Sequence, residues 1–176
     1  MKSLFILLLA LYSCGAAAVD METGVKNLRR HSTWKSMEFR DPNFGQFLAA
    51  RASSNDPRKD INFNITYSPQ TGGCREVIEV VVKLNEPAST SLDQELFIEL
   101  QVDDRVPRTV SVRAVAAEDD EFVYMQIKNT VKITELLGKR SPMVNTRRLG
   151  VTEYQYNGMA DAVHAAKESC NANVAR

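Results

Sequence analysis

Three cysteines, two histidines and one glycosylation sequon narrow the chemistry open to this 176-residue chain more than any other residues. Cys14 lies inside an apolar N-terminal run, which leaves Cys74 and Cys170 for the folded domain. In an oxidising compartment two such thiols read as one disulfide, worth on the order of 4 kcal/mol by the chain-entropy argument. A Cys74/His164 nucleophile pair has little behind it, because no neighbouring charge marks the thiol or the imidazole as activated. His31 falls in a polar stretch and His164 beside small alanines on a helical face, positions that suit structural or exposed histidines. A total of two histidines excludes a histidine-rich metal site. No GxSxG, HExxH, CxxC pair or phosphate-binding loop follows the N-terminal run. The expectation is therefore a protein with no catalytic residue, no metal ligand and no cofactor.

Asn64-Ile65-Thr66 is an N-glycosylation sequon, and strand alternation puts Asn64 on a polar face, so Asn64 is the expected acceptor. Basic pairs at Arg29-Arg30, Lys139-Arg140 and Arg147-Arg148 admit a second reading, a precursor cleaved at dibasic sites. Solvated loops explain such pairs equally well, and the strand-rich surroundings belong to a folded domain.

Charge and hydropathy set the compartment. Twenty-two basic residues balance 22 acidic ones, which removes the electrostatic case for nucleic acid. Lys2, the apolar run Leu4 to Tyr12 and the small residues Ala16, Ala17 and Ala18 form the pattern of a secretory signal peptide over residues 1–18. That run is too short for a membrane span, and none is expected later. The product is expected outside the cell.

The elements that must position these residues follow from periodicity. Residues 19–40 are polar without a sustained period and read as a loose arm. Asp41 and Pro42 look like a helix cap and first helical residue, with Phe44, Phe47 and Leu48 on one face, so a short helix is expected over 41–53. Ile61, Phe63, Ile65 and Tyr67 alternate with polar residues as a half-buried strand. Further strands are expected over 77–84, 96–102, 110–116 and 123–127, joined by short turns as an antiparallel meander. The acidic run Glu118 to Glu121 reads as a hairpin tip. Residues 134–157 show no period, and Met159, Val163, Ala166 and Cys170 then fall at helical spacing. One α+β domain over 41–176 results: a five-stranded antiparallel sheet with a short N-terminal helix and a C-terminal helix packed on it.

One constellation points to a family. Trp34-Lys35-Ser36-Met37, Asp41-Pro42, Phe44, Phe47 and Ala49-Ala50, followed by the strand at 61–68, resemble the helix region of plant-type cystatins over about residues 24–117. The resemblance implies a cysteine-protease inhibitor whose arm and two hairpin tips enter the protease cleft. It implies Gly24 as the arm glycine, Gln70, Thr71, Gly72 and Gly73 as the first binding turn, and Val106 and Pro107 in the second. The inhibitory turn lacks its valine and is one residue short, and the second hairpin lacks the family's Pro-Trp. The functional expectation is a secreted, non-enzymatic binding protein whose partner is a protein, with papain-type proteases the class implied. The alternative is an extracellular carrier enclosing a small apolar ligand between sheet and helices.

Overall fold

The structure is a computed structural model that describes residues 24–56, 61–69, 73–102, 106–128, 142–146, 150–153 and 157–175. These form ten strands and one helix. The strands are β1 (Val25–His31), β2 (Trp34–Arg40), β3 (Phe47–Asp56), β4 (Ile61–Ser68), β5 (Arg75–Lys83), β6 (Leu92–Val102), β7 (Arg108–Ala116), β8 (Phe122–Ile127), β9 (Pro142–Thr146) and β10 (Gly150–Glu153). The helix, α1, is Met159–Val174. All strand pairings are antiparallel, in the order β1-β2-β3-β4-β5-β8-β7-β6-β9-β10. The protein is thus mostly β, not the five-stranded α+β sheet with an N-terminal helix that the periodicity suggested.

Period two governs the sheet. Ser36, Ala52, Ile65, Ile78, Ile127, Val112 and Leu96 align as one register row across seven strands, facing the core. One residue along, Lys35, Ser53, Asn64, Glu79, Gln126, Arg113 and Glu95 form the next row, on the opposite face. A one-residue slip in any strand would bring this polar row into the core, so the register is strongly specified. Trp34 anchors the β1–β2 hairpin to the core, edge-on to Phe63 with ring centroids 6.2 Å apart.

Three sequence expectations fail here for identifiable reasons. Residues 25–40, read as a loose arm, form the β1–β2 hairpin. The expected helix over 41–53 is a tight turn followed by β3. Asp41 does cap: its Oδ1 accepts the backbone N–H groups of Asn43 at 2.8 Å and Phe44 at 2.9 Å. The turn then closes through Gly45, at φ +66, with hydrogen bonds from Gly45 N to Asp41 O and from Asp41 N to Gln46 O. A residue in the left-handed region cannot continue a right-handed helix, so the cap serves a loop. The simple meander fails as well. The segment after β5 crosses two strands to start β6, and β8 returns beside β5. The crossing segment is laced to the acidic hairpin tip by Leu84 N to Glu121 O, Ala88 N to Asp120 O and Asp119 N to Ala88 O.

The C-terminal helix forms where its spacing places it, with Met159, Ala162, Val163, Ala166 and Cys170 buried. It packs against β1 to β4. Small residues on both sides, Ala50 and Ala52 beneath, Ala162 and Ala166 above, allow the close approach. The disulfide Cys74–Cys170 ties the helix to the residue before β5, with Cα atoms 5.9 Å apart.

Tyr67 is fully buried, and among the described residues its hydroxyl has no hydrogen-bond partner. Burial and the nearby Glu76 carboxylate push its pKa well above the ordinary tyrosine value. An orphaned buried hydroxyl forfeits about 1–3 kcal/mol of desolvation. Tyr67→Phe is therefore expected to leave stability unchanged or raise it in chemical denaturation. A loss above about 1 kcal/mol would show that the hydroxyl is satisfied in solution.

Candidate functional site

The registers place one set of connections together. β1 begins, β2 ends, β3 begins, β4 ends, β5 begins, β8 ends, β7 begins and β6 ends at the same end of the sheet. Gly24, the Asp41–Gln46 turn, the segment between β4 and β5 and the β6–β7 turn therefore share that end. Three of the exposed large apolar side chains collect there: Phe44 at 84%, Val106 at 86% and Val174, the last residue of α1, at 49%.

Arg40, the last residue of β2, organises this end. Its Nε and Nη2 donate to Glu38 Oε2 at 3.1 and 2.9 Å, its Nη1 to Gly45 O at 3.2 Å, and its Nη2 to Asn173 Oδ1 at 2.9 Å. One guanidinium thus joins strand, turn and helix terminus. No basic residue stands in the last turn of α1, so the charge that suits a helix C-terminus comes from β2 instead. The same guanidinium sits over the Phe47 ring, 5.7 Å from its centroid. Burial pushes the Glu38 carboxyl up, but hydrogen bonds from Ser169, Asn27 and Arg40 outweigh it and hold Glu38 below the usual glutamate value. Beside Arg40, Gln46, Phe47, Leu48, Pro69, Asn173 and Val174 line a groove of about 370 Å³.

The residues expected in a binding surface fare differently. Gly73 is exposed at φ +92 with open space around it, a free turn position at this end. Val106 and Pro107 are exposed. Gln70, Thr71 and Gly72 lie outside the described residues, as do Lys139-Arg140 and Arg147-Arg148. Gly24 is buried, and its carbonyl accepts Arg40 N at 2.9 Å. A Cβ there would stand 2.7 Å from Arg40 O, so Gly24 is a packing glycine rather than the tip of a free arm. Asn64 lies on the polar row as expected, yet it is 2% exposed and its Oδ1 accepts from Ser53 Oγ at 2.7 Å. Folded, this amide is not presented as a surface acceptor.

Two features escaped sequence reasoning because they depend on cross-strand register. The first is a serine–histidine contact: Ser36 Oγ lies 2.8 Å from His31 Nε2 across the β1–β2 hairpin. Ser36 is 4% exposed, and among the described residues no carboxylate holds the other imidazole nitrogen. His164 lies 3.4 Å from the helix neighbour Glu168. The second is a buried ionic network on the same face as the polar row, joining Glu79 and Gln126 of that row to Arg51 and Thr66. Arg51 Nη2 lies 3.5 Å from Glu79 Oε2 and its Nε donates to Thr66 Oγ1 at 2.9 Å, while Gln126 Nε2 donates to Glu79 Oε1 at 3.2 Å. Among the described residues no three His, Cys, Asp or Glu side chains gather as a metal site, and no helix is long and apolar enough to cross a membrane.

No family model matches the chain, and no curated protein or solved structure matches it either. The geometry of the loop end is what a functional reading has to work from.

Proposed function

We propose that this protein is an extracellular, non-enzymatic binding module that engages a partner protein with the loop end of its sheet. The observation that carries this reading is Phe44. A large aromatic side chain stands 84% exposed at the tip of a turn locked by four hydrogen bonds. Exposed aromatics held on rigid turns lose little entropy on binding and are the usual anchors of protein interfaces. Val174 and the Phe47–Leu48–Pro69 groove add apolar surface beside the Phe44 turn, Val106 stands exposed farther along the same end, and Gly73 admits close approach of a partner backbone.

A wedge of loop tips fits a cleft, and the cleft of a papain-type cysteine protease is the partner that the cystatin resemblance implies. With Gly24 packed into the sheet, the wedge consists of the turns at 41–46, 73 and 106–107. The carrier alternative has less behind it. The core side chains Phe63, Ile65, Ile78, Val80 and Val112 belong to one packed cluster, and the groove beside Arg40 is open to solvent. The test is titration of papain-type proteases with the purified protein. Inhibition at micromolar concentration or below is expected, and its absence would remove the inhibitor reading.

A further inference from the structure

Among the described residues β1 is one edge of the sheet, and its residues Lys26 through Arg30 are exposed. Every second residue of an edge strand turns its N–H and C=O away from the sheet, where another chain can pair with them. β1 carries three basic residues and no acidic one, and Lys26 stands opposite Glu38 in the register. Arg40, Arg51, Lys83, Arg113 and Lys128 each have a carboxylate partner. Lys26, Arg29 and Arg30 on β1, and Lys35 on β2, form no ion pair with a described residue. Moreover, Arg30 stands directly opposite Lys35 in the register, a like-charge cross-strand pair. Such pairs destabilise a sheet unless an anion relieves them.

The placement of the four cations selects the shape of that anion. Arg29 aligns with Ser36 and lines the groove toward α1, together with Asn27, Glu38 and Ser169. Arg30 and Lys35 align with Ser53 and Asn64, on the opposite face. A polyanion lying flat on one face reaches one of these sets. A strand added in the plane of the sheet passes between them and meets both. The register shift between Lys26 and Arg29, with Asn27 at φ 52, also leaves Leu28 54% exposed as an apolar contact on the same edge.

We propose that β1 is a strand-addition site for an extended acidic segment of another protein, which pairs with the edge backbone while its carboxylates meet Lys26, Arg29, Arg30 and Lys35. This surface is separate from the loop end, and the proposal does not depend on the reading given to that end. Lysines and bulges also shield edges from unwanted pairing. A purely protective edge binds nothing, so the two roles separate in one experiment. A labelled peptide of glutamate pairs separated by valine pairs, which presents carboxylates on both faces of an added strand, is titrated with the purified full chain and followed by fluorescence anisotropy at low salt. Saturable binding is expected, and the double variant Arg29→Glu, Arg30→Glu should weaken it at least about tenfold with an unchanged melting temperature. A peptide of equal charge with proline in place of valine loses half of its edge-facing N–H donors in either register, cannot hold a ladder, and is expected not to bind. Amide exchange over 26–31 should slow in the valine complex. Equal binding of both peptides, affinity unaffected by the double variant, or no saturable binding would each overturn the proposal.

Discussion

Replacing both Cys74 and Cys170 with alanine is expected to lower the unfolding free energy by about 2–5 kcal/mol, the range for native disulfides. The bond spans 96 residues, so most of the chain lies within the loop it closes. In the chain-entropy account a loop of that size sets an upper value near 5 kcal/mol, which strain or residual unfolded structure can reduce. The fold adds a reason for a large effect. α1 packs on β1 to β4, and the disulfide is its covalent tie to the segment that opens β5. Both cysteines are buried, so alanine leaves small apolar gaps rather than unsatisfied groups. Urea denaturation of the double variant against the parent measures the difference. A loss below about 1 kcal/mol would mean that packing alone holds the helix.

Arg51→Met is the second substitution with a large expected effect, about 3–5 kcal/mol, because it strands a buried carboxylate. The side chains of Arg51 and Glu79 are 14% and 9% exposed. Burial pushes the Arg51 guanidinium pKa down, while Glu79 and Tyr124 oppose that shift. The guanidinium also lies 4.9 Å from the Phe39 ring centroid, so its removal costs packing as well as charge. Glu79 would keep Gln126 and Thr66 as donors but lose its cation. The double variant Arg51→Met, Glu79→Gln should recover part of the loss, since the amide carries no charge to bury. Chemical denaturation of the two singles and the double measures the coupling directly. Additive losses would place the pair in solvent-screened surroundings instead.

Much of the sheet was legible in the sequence, and the illegible part has physical causes. Ile61 to Ser68 alternates because one face of β4 is core, and the strands at 75–83, 108–116 and 122–127 carry enough β-branched residues to declare themselves. α1 was legible because Met159, Val163, Ala166 and Cys170 mark one helical face, all of it buried. The disulfide followed from counting. β3 was hidden because Asp41-Pro42 reads as a helix start and Phe44, Phe47 and Leu48 fall at helical spacing, whereas the sheet sets the small residues Ala50 and Ala52 beneath the helix. β1 was hidden because an edge strand with Lys26, Arg29 and Arg30 exposed has no apolar alternation to read. At the loop end Gly73 falls in a segment with turn composition, whereas Asp41 reads as the cap of a helix rather than of a turn, and the exposure of Phe44 could not be read because it sits at helical spacing with Phe47 and Leu48.

On the proposed function the loop end of the sheet engages the partner protein. Phe44 and Phe97 provide a matched pair, since both are exposed, at 84% and 64%, with Phe44 on the turn and Phe97 within β6. The most direct measurement is inhibition of a papain-type protease by the parent protein, Phe44→Asp and Phe97→Asp, each checked for an unchanged melting temperature. Inhibition by the parent is expected, retained by Phe97→Asp and weakened at least about tenfold by Phe44→Asp, as loss of an aromatic anchor requires. Inhibition indifferent to Phe44, or abolished by Phe97→Asp alone, would contradict the proposed function.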